Sequence, residues 1–399
     1  MARRSRGEGS VYYDPKRKRY TYRITYIDKA SGETRRKSFH SSKSALAAKK
    51  KGNRFQDDLS SGIDLTKRDE TLGSWLEFWL ENYKKFGTKT KTFERYQQFV
   101  DLYLTPYLGK LPLTKLTPTF LQKHFVYLLQ KGGVKGKGIA PRSVNSTRRM
   151  LISSLEDAID LGYLLRNPAR RTKPMKVEKP KMRVITHEEA TALIKAALQK
   201  SRVAWLAIIL ALGTGMRISE IFGLEWQNVN LDDRYLVVNK TVVSTSKGMR
   251  VQDSTKTPSS ARKIPLPDYV VRALKRYALW QKVLHIRMGN KFAPSSFVFA
   301  NFKGVPRSPN SFSWHDFKEL VKQVGIDPAV RFHDLRHTHA TWLLEAGINV
   351  KVVSERLGHA SIRITLDTYA HVLKTMQAEA VDALDAMFPQ QNKDSEEKK

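Results

Sequence analysis

The alternation of apolar and polar side chains is clearest near the start of the chain. In RYTYRITYI, residues 19–27, the side chains of Tyr20, Tyr22, Ile24 and Tyr26 fall on every second position. Successive side chains of a β-strand point to opposite faces, so this period of two predicts a strand with one apolar and one polar face. The apolar face needs a second element to cover it.

Two further strands and a helix are predicted around this strand. SVYY precedes it and ETRRKSFH follows it, each across a turn rich in charged residues. The next stretch, SKSALAAKKKGNRFQDDL, is typical of a helix. We therefore expect residues 1–66 to form a small domain in which a three-stranded sheet packs on one helix.

Helical periodicity begins at Thr71. TLGSWLEFWLENYKK has apolar residues three and four positions apart, and KTKTFERYQQFVDLYLTPYL repeats the pattern. Thr117 followed by Pro118 is an N-cap with proline at the first helical position, and SVNSTRRMLISSLEDAIDLGYL predicts a fourth helix. Residues 67–169 are therefore predicted to form an all-helical domain whose aromatic side chains are mostly core.

A basic segment separates this helical part from the rest. RRTKPMKVEKPKMR, residues 170–183, has seven basic residues, two prolines and one acid, which is typical of an extended linker. We place the linker at residues 170–184 and a mainly helical domain with a small antiparallel sheet at residues 185–389. Residues 390–399 are polar and predict a disordered tail. The predicted fold class is multidomain α+β.

Composition adds an electrostatic constraint. The 399 residues include 71 Lys and Arg against 38 Asp and Glu, a formal net charge of +33, which indicates a polyanionic partner such as nucleic acid. The excess is concentrated in residues 1–50, which carry 15 basic and four acidic side chains. On a sheet that also carries tyrosines, this charge suits a surface lying in a DNA groove. A solvated face that only aids solubility is the alternative.

Cysteine content and hydropathy restrict the chemistry and the cellular location that we expect for the protein. Zero cysteines exclude disulfides, thiolate chemistry and cysteine-ligated zinc fingers. The sequence has no apolar run of the roughly 18 residues that a membrane-spanning helix needs. The N-terminal MARRSRGEGS is basic but lacks the apolar core of a signal peptide. We expect a cytoplasmic protein.

Arg217 and Glu220 lie where a strongly apolar helix is interrupted. VAWLAIILALGTGMRISEIFGLEW breaks at GTG and restarts, so Arg217 falls at the start of the second helix and Glu220 lies one turn later. An arginine beside such an apolar segment requires a structural or functional explanation. Taken alone, the segment favours the simpler interpretation, a local ion pair between residues three apart.

The segment HDLRHTHATWLLEAGI places His333 and Arg336 on one face of a helix. With a second arginine from elsewhere, such a pair can hold one phosphate, because planar guanidinium groups match phosphoryl oxygens. His337 and His339 raise the alternative of a zinc site. No carboxylate or thiolate accompanies them at ligand spacing, so packing or hydrogen bonding is the favoured interpretation and no metal is expected.

A lysine follows the strand-like segment RYLVVNKTVV. TKTPSSARKIPLP, residues 255–267, places Lys256 on a turn between strands. An ammonium group can donate a proton to a departing alkoxide if its pKa, about 10.4 in isolation, is lowered locally. An ordinary surface lysine is the alternative.

The last candidate segment is LGHASIRITLDTYAH, which contains His359 and Tyr369. A phenol becomes a useful nucleophile where cations favour its ionised form next to a phosphorus atom. Attack on a phosphodiester would keep the bond energy in a phosphotyrosine ester, so rejoining would need no ATP. A helix-capping His359 and a packed Tyr369 explain the segment equally well when it is considered alone.

These four segments, taken in their order along the chain, resemble the active-site motifs of the tyrosine recombinases, in particular the integrases of phages and integrative elements. TGMRISEI is similar to the first arginine motif and KTPSSARKIPL to the lysine hairpin. HDLRHTHAT is similar to the His-x-x-Arg motif and LGHASIRITLDTYAH to the final histidine and tyrosine motif. The basic three-stranded domain and the helical domain also resemble those with which such integrases bind arm-type and core-type DNA sites.

The resemblance implies a mechanism. Arg217 and Arg336 would bind the scissile phosphate while Tyr369 attacks it, which leaves a 3′-phosphotyrosyl link without a metal ion, ATP or other cofactor. Lys256 would protonate the leaving 5′ oxygen. His333 would act as acid or base on the tyrosine proton, His359 would hydrogen-bond a non-bridging oxygen, and Glu220 would orient the arginine and the histidine.

The resemblance also implies the partners. Double-stranded DNA with core-type and arm-type attachment sites would be bound by a homotetramer that passes through a Holliday junction, with an excisionase and a host DNA-bending protein as accessory partners. The C-terminal helix, residues 373–388, would dock on a neighbouring protomer or on its own domain. The residues expected to contact DNA are Tyr20, Tyr22, Arg23, Arg35, Arg36, Lys89, Lys91, Arg95, Arg142, Arg148, Arg149, Arg170, Arg171, Lys173 and Lys176.

Two other functions are compatible with parts of this pattern. A type IB topoisomerase uses similar chemistry on one strand without exchanging partners, and a DNA-binding regulator would retain the fold without cleaving. The separate basic N-terminal sheet disfavours the first, and the complete set of chemically active residues disfavours the second. We therefore expect a site-specific recombinase that integrates and excises a mobile element.

Overall fold

A computed structural model describes eight stretches of the chain, which are residues 9–27, 33–60, 69–133, 136–178, 182–246, 248–253, 261–291 and 293–387. The chain divides into two units, residues 1–179 and 180–399. Each unit has its own apolar core, and the predicted combination of helices with small antiparallel sheets is confirmed. None of the helices within the described stretches is long and apolar enough to cross a membrane.

The first unit begins with the predicted sheet. Strands β1 (Ser10–Asp14), β2 (Arg19–Ile27) and β3 (Thr34–Ser41) pair antiparallel in the order β1-β2-β3, and helix α1 (Ala45–Ser60) follows. Alternation along β2 sets the register, because a shift by one residue would expose its apolar face. Ile24 and Phe55 are fully buried between the sheet and α1.

Tyr22 corrects one expectation about DNA contacts. Its side chain is only 3% exposed, because the apolar face of β2 packs against α1 rather than lying open. A buried phenol ring is not available to a DNA groove. The opposite face of β2, which carries Arg23, is the exposed one.

Helices form the rest of the first unit. Trp75 and Trp79 occupy its core, and their indole N–H groups donate to Ser154 Oγ at 2.8 Å and to an Asp157 carboxylate oxygen at 2.5 Å. The hydroxyl of Thr117 accepts from the amide of Phe120, as its N-cap position predicts. The helices are α2 (Leu72–Trp79), α3 (Thr90–Phe99), α4 (Thr105–Leu108), α5 (Pro118–Lys131) and α6 (Pro141–Asp160), with single π-helical turns continuing α2 and α3.

The start of the segment expected to be an extended linker packs on this unit instead. Thr172 is buried, and Met175 lies against the helical core. Arg148 donates to the hydroxyl and the carbonyl oxygen of Thr172, at 2.7 and 2.5 Å. Thr172 and, in part, Met175 are therefore buried between exposed basic residues, and the guanidinium of Arg148 is used within the protein rather than left free for DNA.

The second unit contains the remaining elements. Its helices are α7 (His187–Lys200), α8 (Arg202–Thr214), α9 (Ile218–Ile221), α10 (Asp268–Met288), α11 (Pro309–Ser311), α12 (Phe317–Val324), α13 (Phe332–Glu345), α14 (Val350–Leu357) and α15 (Ile362–Met387). Its strands are β4 (Val229–Asn230), β5 (Tyr235–Val238), β6 (Lys240–Thr245), β7 (Gly248–Asp253) and β8 (Arg262–Pro265). They form one sheet of order β4-β5-β8 and one β6-β7 hairpin, all antiparallel.

Helix α8 lies at the centre of this unit. It is apolar all round because α7, α10 and α13 pack around it, which is the expected environment of such a helix. The helix ends at Gly215, so the turn that leads to Arg217 starts inside the unit. Helix α15 changes direction at Tyr369, whose φ of −112° and ψ of 20° are not helical. Lys256 and the predicted tail, residues 390–399, lie outside the described residues.

Candidate active site

Glu220 is the buried centre of an ionic network. Its carboxylate is 2% exposed and accepts from Arg217 Nη1 at 2.6 Å and from Arg262 Nη2 at 2.9 Å. Burial alone would raise the pKa of Glu220, but the guanidinium groups of Arg262 and Arg217 lower it to about 2. The carboxylate is therefore ionised at neutral pH, and it fixes both arginines.

Arg336 lies deeper in the same region. Its side chain is 3% exposed, and Nη1 donates to the carbonyl oxygen of Gly215 at 2.7 Å. Within the described part of the chain, its Nη2 has no hydrogen-bond partner. Burial and the charge of Arg217 lower the pKa of Arg336 to about 9, which leaves the guanidinium charged near neutral pH. A buried cationic donor without a partner is costly, so an anion is the group that this site lacks.

Two glycines position the arginines. Gly215 ends α8 and Gly358 ends α14, both in the left-handed region with φ of 68° and 67°. The Gly215 carbonyl receives Arg336, and the Gly358 carbonyl receives Arg217 Nη2 at 3.3 Å. A β-carbon at Gly215 would lie 2.6 Å from His339, and one at Gly358 would lie 2.8 Å from Arg262. The left-handed backbone and the close neighbours therefore require glycine at both helix ends, and the two carbonyl groups that receive the arginines are placed by these turns.

The histidines of the site are held in the neutral form. Desolvation by the surrounding protein, with the charges of His337 and Arg336, lowers the pKa of His333 to about 4. Burial and the charges of Arg336 and Arg217 lower the pKa of His359 to about 4 as well, and His359 Nδ1 lies 2.8 Å from the hydroxyl of Thr365. Neutral imidazoles can donate or accept a hydrogen bond, whereas the arginines only donate.

Tyr369 lies in a small core formed by α13, α14 and α15. Its side chain is 1% exposed, and its hydroxyl is 2.9 Å from Nδ1 of His337. Burial raises the pKa of Tyr369 to about 12, and the charge of Arg336 opposes this shift. The phenol is therefore protonated before any reaction begins. The structure brings Arg217, Glu220, His333, Arg336, His359 and Tyr369 together from segments that are far apart in the sequence.

Two participants were missed or underrated in the sequence. Arg262 lies in the segment TKTPSSARKIPLP, but the sequence does not indicate a role for it. Its pairing with Glu220 arises only from the tertiary structure. His337 was interpreted as a packing or hydrogen-bonding residue, and its bond to Tyr369 makes it part of the site. Its position four residues after His333 on α13, and hence on the same helix face, was the available signal.

Most of the residues expected to contact DNA are exposed on the first unit. Tyr20 and Arg148 are half-buried, and Arg170 pairs with Glu156 at 2.5 Å. Arg23 lies over the ring of the exposed Tyr12, 5.6 Å from its centroid. The exposed basic members of the set are Arg23, Arg35, Arg36, Lys89, Lys91, Arg95, Arg142, Arg149, Arg170, Arg171, Lys173 and Lys176.

Known proteins share this sequence pattern. The phage integrase family matches residues 183–376, and the SAM-like N-terminal domain of phage integrases matches residues 71–129. A tyrosine recombinase of Thermosipho africanus is 30% identical over 298 residues, which cover 73% of this chain and 93% of that protein. A XerC-like tyrosine recombinase of Caldanaerobacter subterraneus subsp. tengcongensis is 26% identical over 386 residues, or 92% of this chain and 96% of that protein.

Solved structures share the fold. The Tn1549 transposon integrase in complex with transposon right end DNA has a TM-score of 0.65 and 22% identity, covering 78% of this chain and 99% of that one. A lambda integrase tetramer bound to a Holliday junction has a TM-score of 0.56 and 21% identity, covering 92% of this chain and 96% of that one.

The chain thus belongs to the tyrosine recombinase family, which includes the phage integrases. Its function is site-specific recombination of the integrase type, in which DNA is broken and rejoined.

Replacing Glu220 by Gln tests the ionic network. We expect the free energy of unfolding to fall by about 3–5 kcal/mol at about pH 6, because the neutral amide leaves buried guanidinium charge without its partner. Because the pKa of Glu220 falls from 4.5 to about 2 on folding, the wild-type protein gains up to about 3 kcal/mol from its ionised form above about pH 5. That gain is lost as the pH falls towards 2.

Urea unfolding of the wild-type protein and Glu220→Gln at about pH 6 and about pH 3 measures this difference. The wild-type protein should lose more stability over this interval than the variant. Glu355→Gln is the matched control, because Glu355 is exposed and pairs with the exposed Lys351, and it should change the stability by less than about 1 kcal/mol. Parallel pH dependence of the wild-type protein and Glu220→Gln would contradict the assignment.

Proposed function

We propose that the chain cleaves DNA with Tyr369 as the nucleophile, forms a 3′-phosphotyrosyl link and releases a 5′ hydroxyl, and rejoins strands by the reverse reaction to integrate and excise a mobile element. The observation that carries this proposal is the buried Arg336, whose Nη2 lacks a partner among the described residues, in the same cluster as a buried phenol. A phosphodiester supplies the anion that this arrangement lacks.

The arginines are the proposed phosphate ligands. Arg217 and Arg336 would each donate to non-bridging oxygens and offset the charge of the five-coordinate transition state, while His359 donates a further hydrogen bond. Preorganised cations are effective here because Glu220 and the two glycine carbonyls already fix them, so little reorganisation is needed. We assign Glu220 a positioning role through Arg217.

Two groups would handle protons. Lys256 would protonate the 5′ oxygen as it leaves, which is consistent with its position after the β6-β7 hairpin and before β8 in the chain. His333 would serve as acid or base for the tyrosine proton. With these residues and two guanidinium groups, the proposed reaction needs no metal ion, ATP or other cofactor.

We propose three functional domains and a DNA-bound assembly. Residues 1–66 would bind arm-type sites, residues 67–169 core-type sites, and residues 185–389 would catalyse, with a basic link at residues 170–184 and a terminal tail at residues 390–399. Exposed cationic side chains on the first unit support double-stranded DNA as the partner. The lambda integrase tetramer on a Holliday junction supports a homotetramer on DNA.

The proposal also includes two accessory protein partners and a cellular location. An excisionase would set the direction of the reaction, and a host DNA-bending protein would bring arm-type and core-type sites together. The bacterial sources of the relatives support a bacterial cytoplasm as the setting. The C-terminal half of α15 exposes Val381, Leu384 and Met387, an apolar surface that suits docking on a neighbouring protomer.

A suicide duplex carrying the core site tests the cleavage step. The wild-type protein should form a covalent protein–DNA adduct, visible as a band that resists denaturing electrophoresis. Tyr369→Phe should form none, because it lacks the attacking oxygen, while still binding the duplex. An adduct with Tyr369→Phe, or its absence with the wild-type protein on a verified site, would refute the proposal. Joint assembly of two duplexes would separate a recombinase from a topoisomerase.

Removal of residues 1–66 tests the domain assignment. Cleavage of the core-site duplex should remain within about threefold of the full chain, because phosphate-binding residues and the nucleophile lie elsewhere. Gel-shift binding to arm-type DNA should be lost, since neutralising fewer phosphates weakens affinity steeply. Equal loss of core cleavage and arm binding would contradict this division of tasks.

A further inference from the structure

The Tyr369 hydroxyl contacts a histidine that the proposed mechanism does not use. Its oxygen lies 2.9 Å from Nδ1 of His337, and the two rings are 5.9 Å apart at an angle of 56°. The contact is therefore a hydrogen bond through the hydroxyl rather than ring stacking. The ring of His333 meets that of His337 edge to face, with centroids 4.8 Å apart, so His337 contacts both His333 on α13 and the phenol on α15.

A buried hydroxyl needs a hydrogen-bond partner, so His337 could be present only to satisfy the buried Tyr369 hydroxyl. Two features make this acceptor different from a structural one. The hydroxyl belongs to the proposed nucleophile, so its proton has to leave during attack. The hydroxyl is also carried by a residue at which the backbone of α15 leaves helical geometry, which gives the side chain a position that a continuous helix would not give.

The protonation states suit proton transfer from the phenol to the imidazole. Burial and the charges of Arg336 and Arg331 lower the pKa of His337, and Asp334 opposes them. The imidazole is therefore neutral near pH 7, and in the tautomer with hydrogen on Nε2 the lone pair of Nδ1 accepts from the phenol. Burial keeps the proton on Tyr369 until a phosphate arrives.

We propose that His337 is a further catalytic residue and that it, rather than His333, takes the proton from the Tyr369 hydroxyl during attack and returns it during rejoining, because His337 is the histidine that the hydroxyl contacts. This inference rests on the proposed function. As the bond between the tyrosine oxygen and phosphorus forms, the O–H bond breaks and its proton moves to Nδ1. The bond from phosphorus to the 5′ oxygen breaks, and that oxygen takes a proton from Lys256. Rejoining reverses both transfers, so the protein ends with the protons it began with.

The first variant, His337→Asn, tests whether His337 acts as a base or only accepts a hydrogen bond from the phenol. The Asn carboxamide oxygen lies near the place of Nδ1 and can accept the phenol hydrogen bond, but it does not take up a proton near neutral pH. Single-turnover adduct formation on the core duplex should slow about 100-fold or more, the usual scale of general base catalysis. DNA affinity and the melting temperature should stay near the wild-type values.

The matched control is His315→Asn. His315 is exposed on the π-helical turn Phe312–Asp316 and plays no part in the cluster, so its variant should cleave at the wild-type rate. Cleavage by His337→Asn within about threefold of the control, or faster than it, would overturn the proposal and leave His337 as a residue that only holds the resting phenol.

A modified substrate shows which of the two proton transfers, at the nucleophile or at the leaving group, is impaired in a variant. In a duplex with sulfur in place of the 5′ bridging oxygen, the leaving thiolate needs no protonation. Lys256→Ala should recover most of its rate on this substrate, whereas His337→Asn should remain slow because its defect lies at the nucleophile. Restoration of His337→Asn by sulfur would overturn the proposal for His337.

Chemical rescue gives a second readout. His337→Ala removes the ring, and its cleavage rate should rise with the concentration of neutral imidazole added to the reaction. A rate that does not respond to imidazole in a folded, DNA-binding variant would count against a proton acceptor. Failure of the proposed function is distinguishable, because it would appear as an adduct with Tyr369→Phe or as no adduct with the unmodified protein.

Discussion

The arrangement of the site depends on one buried carboxylate between two guanidinium groups. Glu220 accepts from Arg217 and Arg262, and Arg262 also donates from Nε to the carbonyl oxygen of Arg356 at 2.7 Å. These contacts tie α9, β8 and the end of α14 together. Breaking such a buried pair is costly, so Arg217 is held in place before DNA arrives.

The same network explains the electrostatic character of the site. Cations and neutral imidazoles surround a protonated phenol, and the two buried carboxylates beside them, Glu220 and Asp334, are each paired with an arginine. A bound phosphate diester would satisfy Arg336 and balance the excess positive charge. In the proposed reaction, stability and activity are coupled, because the Arg336 donor that lacks a partner among the described residues is the one that a bound phosphate would satisfy.

Helices and strands could be predicted from the sequence where the apolar periodicity is strong. Site residues could be predicted where they lie together in one short motif. Alternation in β2 and the apolar stripe of α2 gave the correct element types. The register of β2 places Tyr22 in the core, as the alternation of the strand implies, so this tyrosine is not available to DNA. Arg262 and His337 act through partners 42 and 32 residues away, and such contacts depend on tertiary packing rather than on local spacing.

Tyr369 is proposed to attack a phosphate held by this preorganised cluster. Mass spectrometry of the covalent adduct, after nuclease digestion and trypsin cleavage, tests it most directly. Residues 364–374 form one tryptic peptide that contains Tyr369 and no other tyrosine. We expect a nucleotide linked through its 3′ phosphate to Tyr369 in this peptide. A nucleotide on a different residue, or one attached through its 5′ phosphate, would contradict it.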